Sequence, residues 1–255
     1  MQRTPVLFVG HGSPMNAIEN NPYTKTWQAL GQALPRPKAI LSVSAHWYTM
    51  STLVSNVREN RTIYDMYGFP DALYRLSYPA KGAPETAART AALLGGTAAL
   101  SGDWGLDHGT WSVLTHLFPK ADVPVFQLSV NRRLTMREHY ALGQALRPLR
   151  EEGVMIFASG NVVHNLSLVD WKNPNSFSWA DAFDAYIRDA VLAKEHEKVI
   201  DYLALGEPSR LSVPTMDHFA PLLYALGATQ DDDTPSVFND ARTLGSLSMT
   251  GYRFD

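Results

Sequence analysis

The sequence predicts an α/β fold in which helices cover both faces of a central sheet. Two observations carry that reading. Short runs rich in Val, Ile, Leu and Phe recur between segments with helical spacing. Apolar residues make up 45% of the 255 residues and charged residues 18%, enough hydrophobic material for a large core and too little charge for a disordered chain. A chain of this length fits one domain over 1–255.

The expected strands are Val6 to Val9, Ala39 to Ser44, Val123 to Ser129 and Val154 to Ala158. Each is nearly uninterrupted apolar sequence, as a strand covered on both faces requires. The expected helices are Tyr23 to Leu34, Glu85 to Leu94, Met136 to Leu149, Trp179 to Ala193 and His196 to Leu205. Tyr140, Leu142, Leu146 and Leu149 in one, and Phe183, Ile187, Val191 and Leu192 in another, follow the spacing of a single buried stripe. Phe219 to Leu226 opens a further apolar helix, and Trp111 to Phe118 has helical character. Thr49 to Gly82, richer in Tyr, Pro and Gly, reads as a long excursion above the sheet edge, with Tyr64, Tyr67, Phe69 and Tyr74 available to wall a pocket for a flat substrate. Gln230 to Thr234 reads as an acidic surface turn.

Composition removes several function classes. A net charge of −3 and no long Lys/Arg run argue against nucleic acid, whose affinity depends on clustered cations. No apolar stretch suits a membrane span or a signal peptide, so a cytoplasmic protein is expected. Cysteine is absent, so any metal must be held by His, Asp or Glu. Neither a Walker loop nor a GxSxG nucleophile elbow occurs, which argues against nucleotide binding and serine hydrolysis.

Ligands in open α/β sheets gather beyond the carboxyl ends of the strands. Four histidines stand near such ends: His11 after Val-Leu-Phe-Val-Gly, His46 after Ile-Leu-Ser-Val-Ser-Ala, His164 across Ser159-Gly160-Asn161 from an apolar run, and His218 before the Phe219 helix. One such histidine is usually structural. Four converging imidazoles make a metal site that needs no cysteine. His108, in a glycine-flanked loop, is a candidate acid/base, whereas His116, His139 and His196 read as structural or solvated. Asp107 and Asp217 adjoin histidines but receive no role, because neighbouring side chains usually point apart. A zinc-dependent, amidohydrolase-like hydrolase using metal-bound water is the alternative reading.

Six segments in order also resemble the class III, LigB-type extradiol ring-cleaving dioxygenases, in particular the DOPA extradiol dioxygenase branch. They are Gly10-His11-Gly12-Ser13-Pro14, Ser44-Ala45-His46-Trp47, Ile63 to Pro70, Gly105 to Gly109, Gly160 to Leu166 and Asp217 to Leu223. The resemblance implies a three-layer sandwich around a mixed, mostly parallel sheet. It also implies one divalent metal and no organic cofactor, with a catechol and dioxygen as reactants. By resemblance, His11, His46 and His218 ligate the metal, His164 is either a fourth ligand or the acid/base, and His108 contacts substrate or dioxygen. Ser13, Tyr64, Tyr67 and Phe69 are candidate substrate contacts. Fe(II) suits ring cleavage because it can pass electron density to dioxygen; Zn(II) is a plausible occupant of the same donors but has no redox chemistry. Many protocatechuate-type relatives carry Glu where this chain has His218, which changes the charge of the site. Monomer and small homo-oligomer are both compatible with the sequence.

Overall fold

A computed structural model of the chain describes residues 3–255, so the first two residues of the expected domain span lie outside the described residues. The strands are β1 (Val6–Gly10), β2 (Ala39–Thr49), β3 (Thr52–Ser55), β4 (Ala98–Ser101), β5 (Val125–Asn131), β6 (Val154–Gly160), β7 (Pro235–Phe238), β8 (Arg242–Thr243), β9 (Leu247–Ser248) and β10 (Gly251–Phe254). The α-helices are α1 (Pro22–Ala33), α2 (Asp71–Tyr74), α3 (Pro84–Leu93), α4 (His108–Leu117), α5 (Met136–Ala145), α6 (Arg147–Glu151), α7 (Ser178–Leu192), α8 (His196–Ile200), α9 (Glu207–Ser212) and α10 (Ala220–Gly227).

Eight strands form one sheet in the order β4-β3-β5-β2-β6-β1-β10-β7, while β8 and β9 form a separate small ladder. The centre is parallel: β6 lies between β2 and β1, and β5 pairs with β2. The antiparallel pairs β3–β5, β1–β10 and β10–β7 make the sheet mixed. Every residue of β1, β5 and β6 is buried, and alternate side chains serve opposite faces. Val6, Phe8, Leu41, Val43, Ile156 and Ala158 join one core with residues of α5, α7 and α10. Leu7, Val9, Ile40, Met155 and Phe157 join a second with Trp27 of α1 and Trp111, Val113 and Leu114 of α4. Two cores on the two faces of one sheet make the three-layer sandwich. Each fully buried Val, Leu, Ile or Phe contributes about 1.5–3 kcal/mol, so these clusters dominate the folding free energy. Among the described residues no helix is long and apolar enough to cross a membrane.

The expected elements are present, with four corrections. The excursion Thr49–Gly82 is partly sheet, because β3 pairs antiparallel with β5 through Val54 and Leu128. The single helix expected over Met136–Leu149 breaks into α5 and α6 where Pro148, in the first turn of α6, has no N–H to continue the ladder. The helix expected over His196–Leu205 ends at Ile200 and gives way to a 3-10 turn, Tyr202–Leu205. The supposed surface turn at Gln230–Thr234 contains buried Asp233, which accepts bonds from the buried Arg150 guanidinium at 2.5 and 2.9 Å. Arg150 also donates to Thr4 O and Ala228 O, tying the start of the chain to its end.

His139 is structural, as expected, but fully buried rather than solvated. Its Nδ1 lies 3.0 Å from the Tyr224 hydroxyl and its Nε2 has no partner among the described residues. Burial lowers its pKa to about 4. The folded state therefore holds fewer protons on this ring than the unfolded state between the unfolded value near 6.5 and pH 4. Stability attributable to His139 is present above that unfolded value and is lost as pH falls toward 4, by up to about 3 kcal/mol. The His139→Gln variant is expected to lose this part of the acid sensitivity. Urea denaturation at pH 7 and pH 4.5 should show the variant less acid-sensitive than the parent, and an equal loss in both would contradict the assignment.

Candidate metal centre and active site

The carboxyl ends of β2, β6 and β1 lie side by side, because these strands run parallel in that order. His11 follows β1, and its backbone N–H donates to Gly160 O at 3.1 Å. Gly12 then turns the chain with φ +61, and a side chain there would meet Met249 Sδ at 2.4 Å. His46 does not sit beyond a strand end as expected, since β2 continues to Thr49. The β2–β5 register instead passes from Ser44–Ser129 to Tyr48–Val130, so Ala45, His46 and Trp47 bulge out of the ladder. Such a bulge re-aims a side chain, and Trp47 anchors it by stacking on Trp104, with ring centroids 6.3 Å apart. His164 lies past β6, its N–H bonded to Ser212 O. His218 sits just before α10, and its carbonyl accepts from Asn161 N at 2.9 Å. His108 opens α4, whose N-cap is Asp107.

These segments bring one ring nitrogen each from His11, His46 and His218 within 4.8 Å of one another. The other nitrogen of each ring is held. Ser159 Oγ donates its one proton to Gly109 O at 2.6 Å, so it can only accept from His11 Nδ1 at 3.0 Å. The Asp217 carboxylate accepts from His218 Nδ1. Asp65 Oδ2 stands 3.2 Å from His46 Nδ1, which favours the proton on that nitrogen. The three Nε2 atoms are therefore left with lone pairs. Two of them, on His11 and His46, face each other at 3.1 Å, and the third, on His218, is buried with no partner among the described residues. Converging lone pairs in a buried space fit a cation, and a hydrogen-bonded Nδ1 on each ring is how metal-ligating histidines are commonly oriented.

Electrostatics point the same way. Burial, followed by the neighbouring imidazoles, holds His11 and His46 well below the ordinary histidine range, so both rings are neutral at pH 7. Burial opposes the charge on Asp217, yet the bond and charge of His218, the Thr215 side chain and a backbone bond together outweigh it and keep the carboxylate ionised. Asp65 is likewise held below the carboxylate range by its bonds from His108, against the effect of burial.

The other candidates stand at different distances from this trio. His164 stacks on His218, with centroids 3.5 Å apart and planes 4° from parallel, and lies outside the trio. His108 lies with its ring 3.8 Å from His46. Tyr64 is one ring further out, packed on Trp111, and donates its hydroxyl to Leu76 O. Phe69 packs half-buried against the second core. Tyr67 is 92% exposed, and exposed Ser13 uses its hydroxyl to cap the 3-10 turn Pro14–Ala17.

Three acidic residues were given no role by sequence reasoning. Asp217 bonds the ring of its own neighbour, contrary to the expectation that the two point apart. Asp107 accepts from Ser44, Trp104 and Gln127 side chains and caps α4, bracing the floor under His46 and His108. Asp65 touches both His46 and His108 from the excursion. The signal for Asp65 was its place inside the Ile63–Pro70 motif.

A three-layer α/β fold in which the imidazoles of buried His11 and His218 and half-buried His46 converge beside the central strands is the frame of a cluster that could hold a metal. A family model described as the catalytic LigB subunit of aromatic ring-opening dioxygenase matches residues 5–255. The chain belongs to that family and is an extradiol aromatic ring-opening dioxygenase. It is 44% identical over 253 residues to the 4,5-DOPA dioxygenase extradiol of Escherichia coli K12, covering 97% of this chain and 93% of the relative. To the 4,5-DOPA dioxygenase extradiol of Beta vulgaris it is 38% identical over 255 residues, covering 97% and 95%. The crystal structure of an uncharacterized Escherichia coli K12 protein superposes with a TM-score of 0.87 at 40% identity, covering 99% of this chain and all of that one. The zinc-hydrolase alternative finds no support in these relatives.

Gly109 tests the construction of the site. A Cβ there would lie 2.9 Å from His46 Cδ2 and 2.7 Å from Ser44 Oγ, so one of them must move. Gly109→Ala is expected to weaken Zn(II) binding at least about tenfold while overpacking costs about 1–3 kcal/mol of stability. Isothermal titration calorimetry reads the affinity, and an unchanged value would show that His46 is not a ligand.

Proposed function

We propose that the chain is a DOPA-type extradiol dioxygenase, in which His11, His46 and His218 hold Fe(II), His164 is the acid/base and His108 orients the second hydroxyl or dioxygen. The observation that carries this reading is the buried, unpartnered His218 Nε2 converging with the Nε2 atoms of His11 and His46. The names of the relatives supply the substrate class, a catechol bearing an amino-acid side chain. We also take residues 1–255 as one catalytic domain.

Fe(II) held there would bind the catechol oxygens and dioxygen together and pass electron density between them, which redox-inert Zn(II) cannot do. The chain's own residues do the rest. Three neutral imidazoles leave the ion's full charge to favour a catecholate, where a glutamate ligand would cancel part of it. His164, stacked flat on His218, stands beside the ligand trio, a suitable position for taking a hydroxyl proton and returning it during ring opening. His108, with its Nδ1 bonded to Asp65, presents its other ring nitrogen away from that carboxylate. Tyr64 and Phe69 would supply aromatic surface for the substrate ring, and exposed Tyr67 and Ser13 are the further candidate contacts.

Anaerobic loading with Fe(II), followed by air and DOPA, is expected to give a yellow semialdehyde, and Zn(II)-loaded protein none. Colourless turnover, or none at full iron occupancy, would overturn the assignment. His164→Gln is expected to lower kcat by about 10²–10⁴-fold while retaining one metal per chain by mass spectrometry. Loss of the metal would instead make His164 a fourth ligand.

A further inference from the structure

Asp65 lies on the excursion between β3 and α2, outside every element that carries a histidine of the site. One of its oxygens, Oδ2, is 2.8 Å from His108 Nδ1 and 3.2 Å from His46 Nδ1, and the other, Oδ1, accepts the His108 backbone N–H at 2.8 Å. The carboxylate is 11% exposed, with the His46 and His108 rings packed 3.8 Å apart beside it. Its position is set from behind: Ile63 N donates to Leu106 O at 2.9 Å, and Trp111 Nε1 donates to Ile63 O at 3.0 Å, fixing the chain two residues before Asp65. The same stretch carries Tyr64, Tyr67 and Phe69.

We infer that Asp65 is a positioning residue that sets two imidazoles at once: it holds the Nδ1 proton on both His46 and His108, so that one presents an Nε2 lone pair to the metal and the other presents its Nε2 lone pair to substrate. The inference rests on the reading of His46 as a metal ligand. Its physical basis is that an ionised carboxylate accepts and never donates, so every ring nitrogen facing it must carry the proton. An asparagine in its place cannot repeat the pattern, since one amide oxygen cannot satisfy two ring N–H groups and the His108 backbone N–H together, and the amide NH₂ would face a donor. Sharing one oxygen also links the two sides of the site. The bond to His108 is the shorter, so displacing Asp65 releases the substrate-side ring and loosens the ligand ring in the same movement. Because Asp65 belongs to the excursion, the aromatic wall is fastened to the metal centre through this carboxylate.

The test uses metal-free protein labelled with ¹⁵N-histidine at pH 8, where nitrogen shifts report which ring nitrogen carries the proton, and Zn(II) affinity by chelator competition. In the parent, His46 and His108 are expected to be protonated on Nδ1. Asp65→Asn is expected to move both toward mixed tautomers, to raise the Zn(II) dissociation constant about 10–100-fold, and to speed amide exchange over residues 64–70, with the circular dichroism spectrum retained. A proton on Nε2 of either ring in the parent would overturn the inference, as would parent-like Zn(II) affinity or unchanged tautomers in Asp65→Asn. The parent measurement decides the matter even where the variant does not fold. None of these readouts needs turnover, so a protein that passes them but leaves DOPA untouched keeps the Asp65 assignment and loses the dioxygenase one.

Discussion

Three imidazole lone pairs pointing into one buried space repel each other, and that repulsion is the constraint around which the rest of this molecule is arranged. Left alone, such rings would rotate, flip tautomer or take up protons. Here each is prevented from doing so on its far side, by Ser159 for His11, by Asp65 for His46 and by Asp217 for His218. Ser159 can only accept because its own proton goes to Gly109 O. Burial discourages protonation as well, and so a cation is the group that relieves the arrangement.

The fold supplies the rigidity this needs. A parallel centre with β6 between β2 and β1 places three carboxyl ends next to each other, and buried side chains on both faces leave those strands no room to slide. Two local departures from regularity finish the site. The β2 bulge turns His46 toward the centre, and Gly109, opposite it at the start of α4, leaves space that any side chain would fill. Below them Asp107, Ser44, Gln127 and Thr110 form a closed set of hydrogen bonds, so the buried carboxylate that caps α4 is satisfied even though burial raises its pKa.

What the sequence made legible follows from how far apart the interacting residues are. The central strands announced themselves as apolar runs, since both faces are covered, and His11 and His218 stood out because each follows or precedes such a run directly. The two outermost strands on each side of the sheet, β4 and β3, and β10 and β7, are four residues each and too short or too polar to show a period. His46 was found for a reason that the bulge replaces, since β2 continues past it. Asp65 lies 43 positions from His108 in the chain, and no local pattern links a residue of an irregular excursion to a helix N-terminus. Asp217 was missed because adjacent side chains in regular structure diverge, and the turn before α10 is not regular. His164 was expected near the other histidines, while its flat stack on His218 is a tertiary contact that no local pattern encodes.

We propose that three histidine Nε2 atoms, and no carboxylate, hold one metal ion beside the ends of β1 and β6 and the bulge of β2. An anomalous difference map, collected at the metal edge on crystals of the loaded protein, measures this directly. A single peak is expected within about 2.0–2.2 Å of Nε2 of His11, His46 and His218, with Asp65 and Asp217 remaining on the Nδ1 side. A peak bound through either carboxylate, or one lying elsewhere in the molecule, would contradict it.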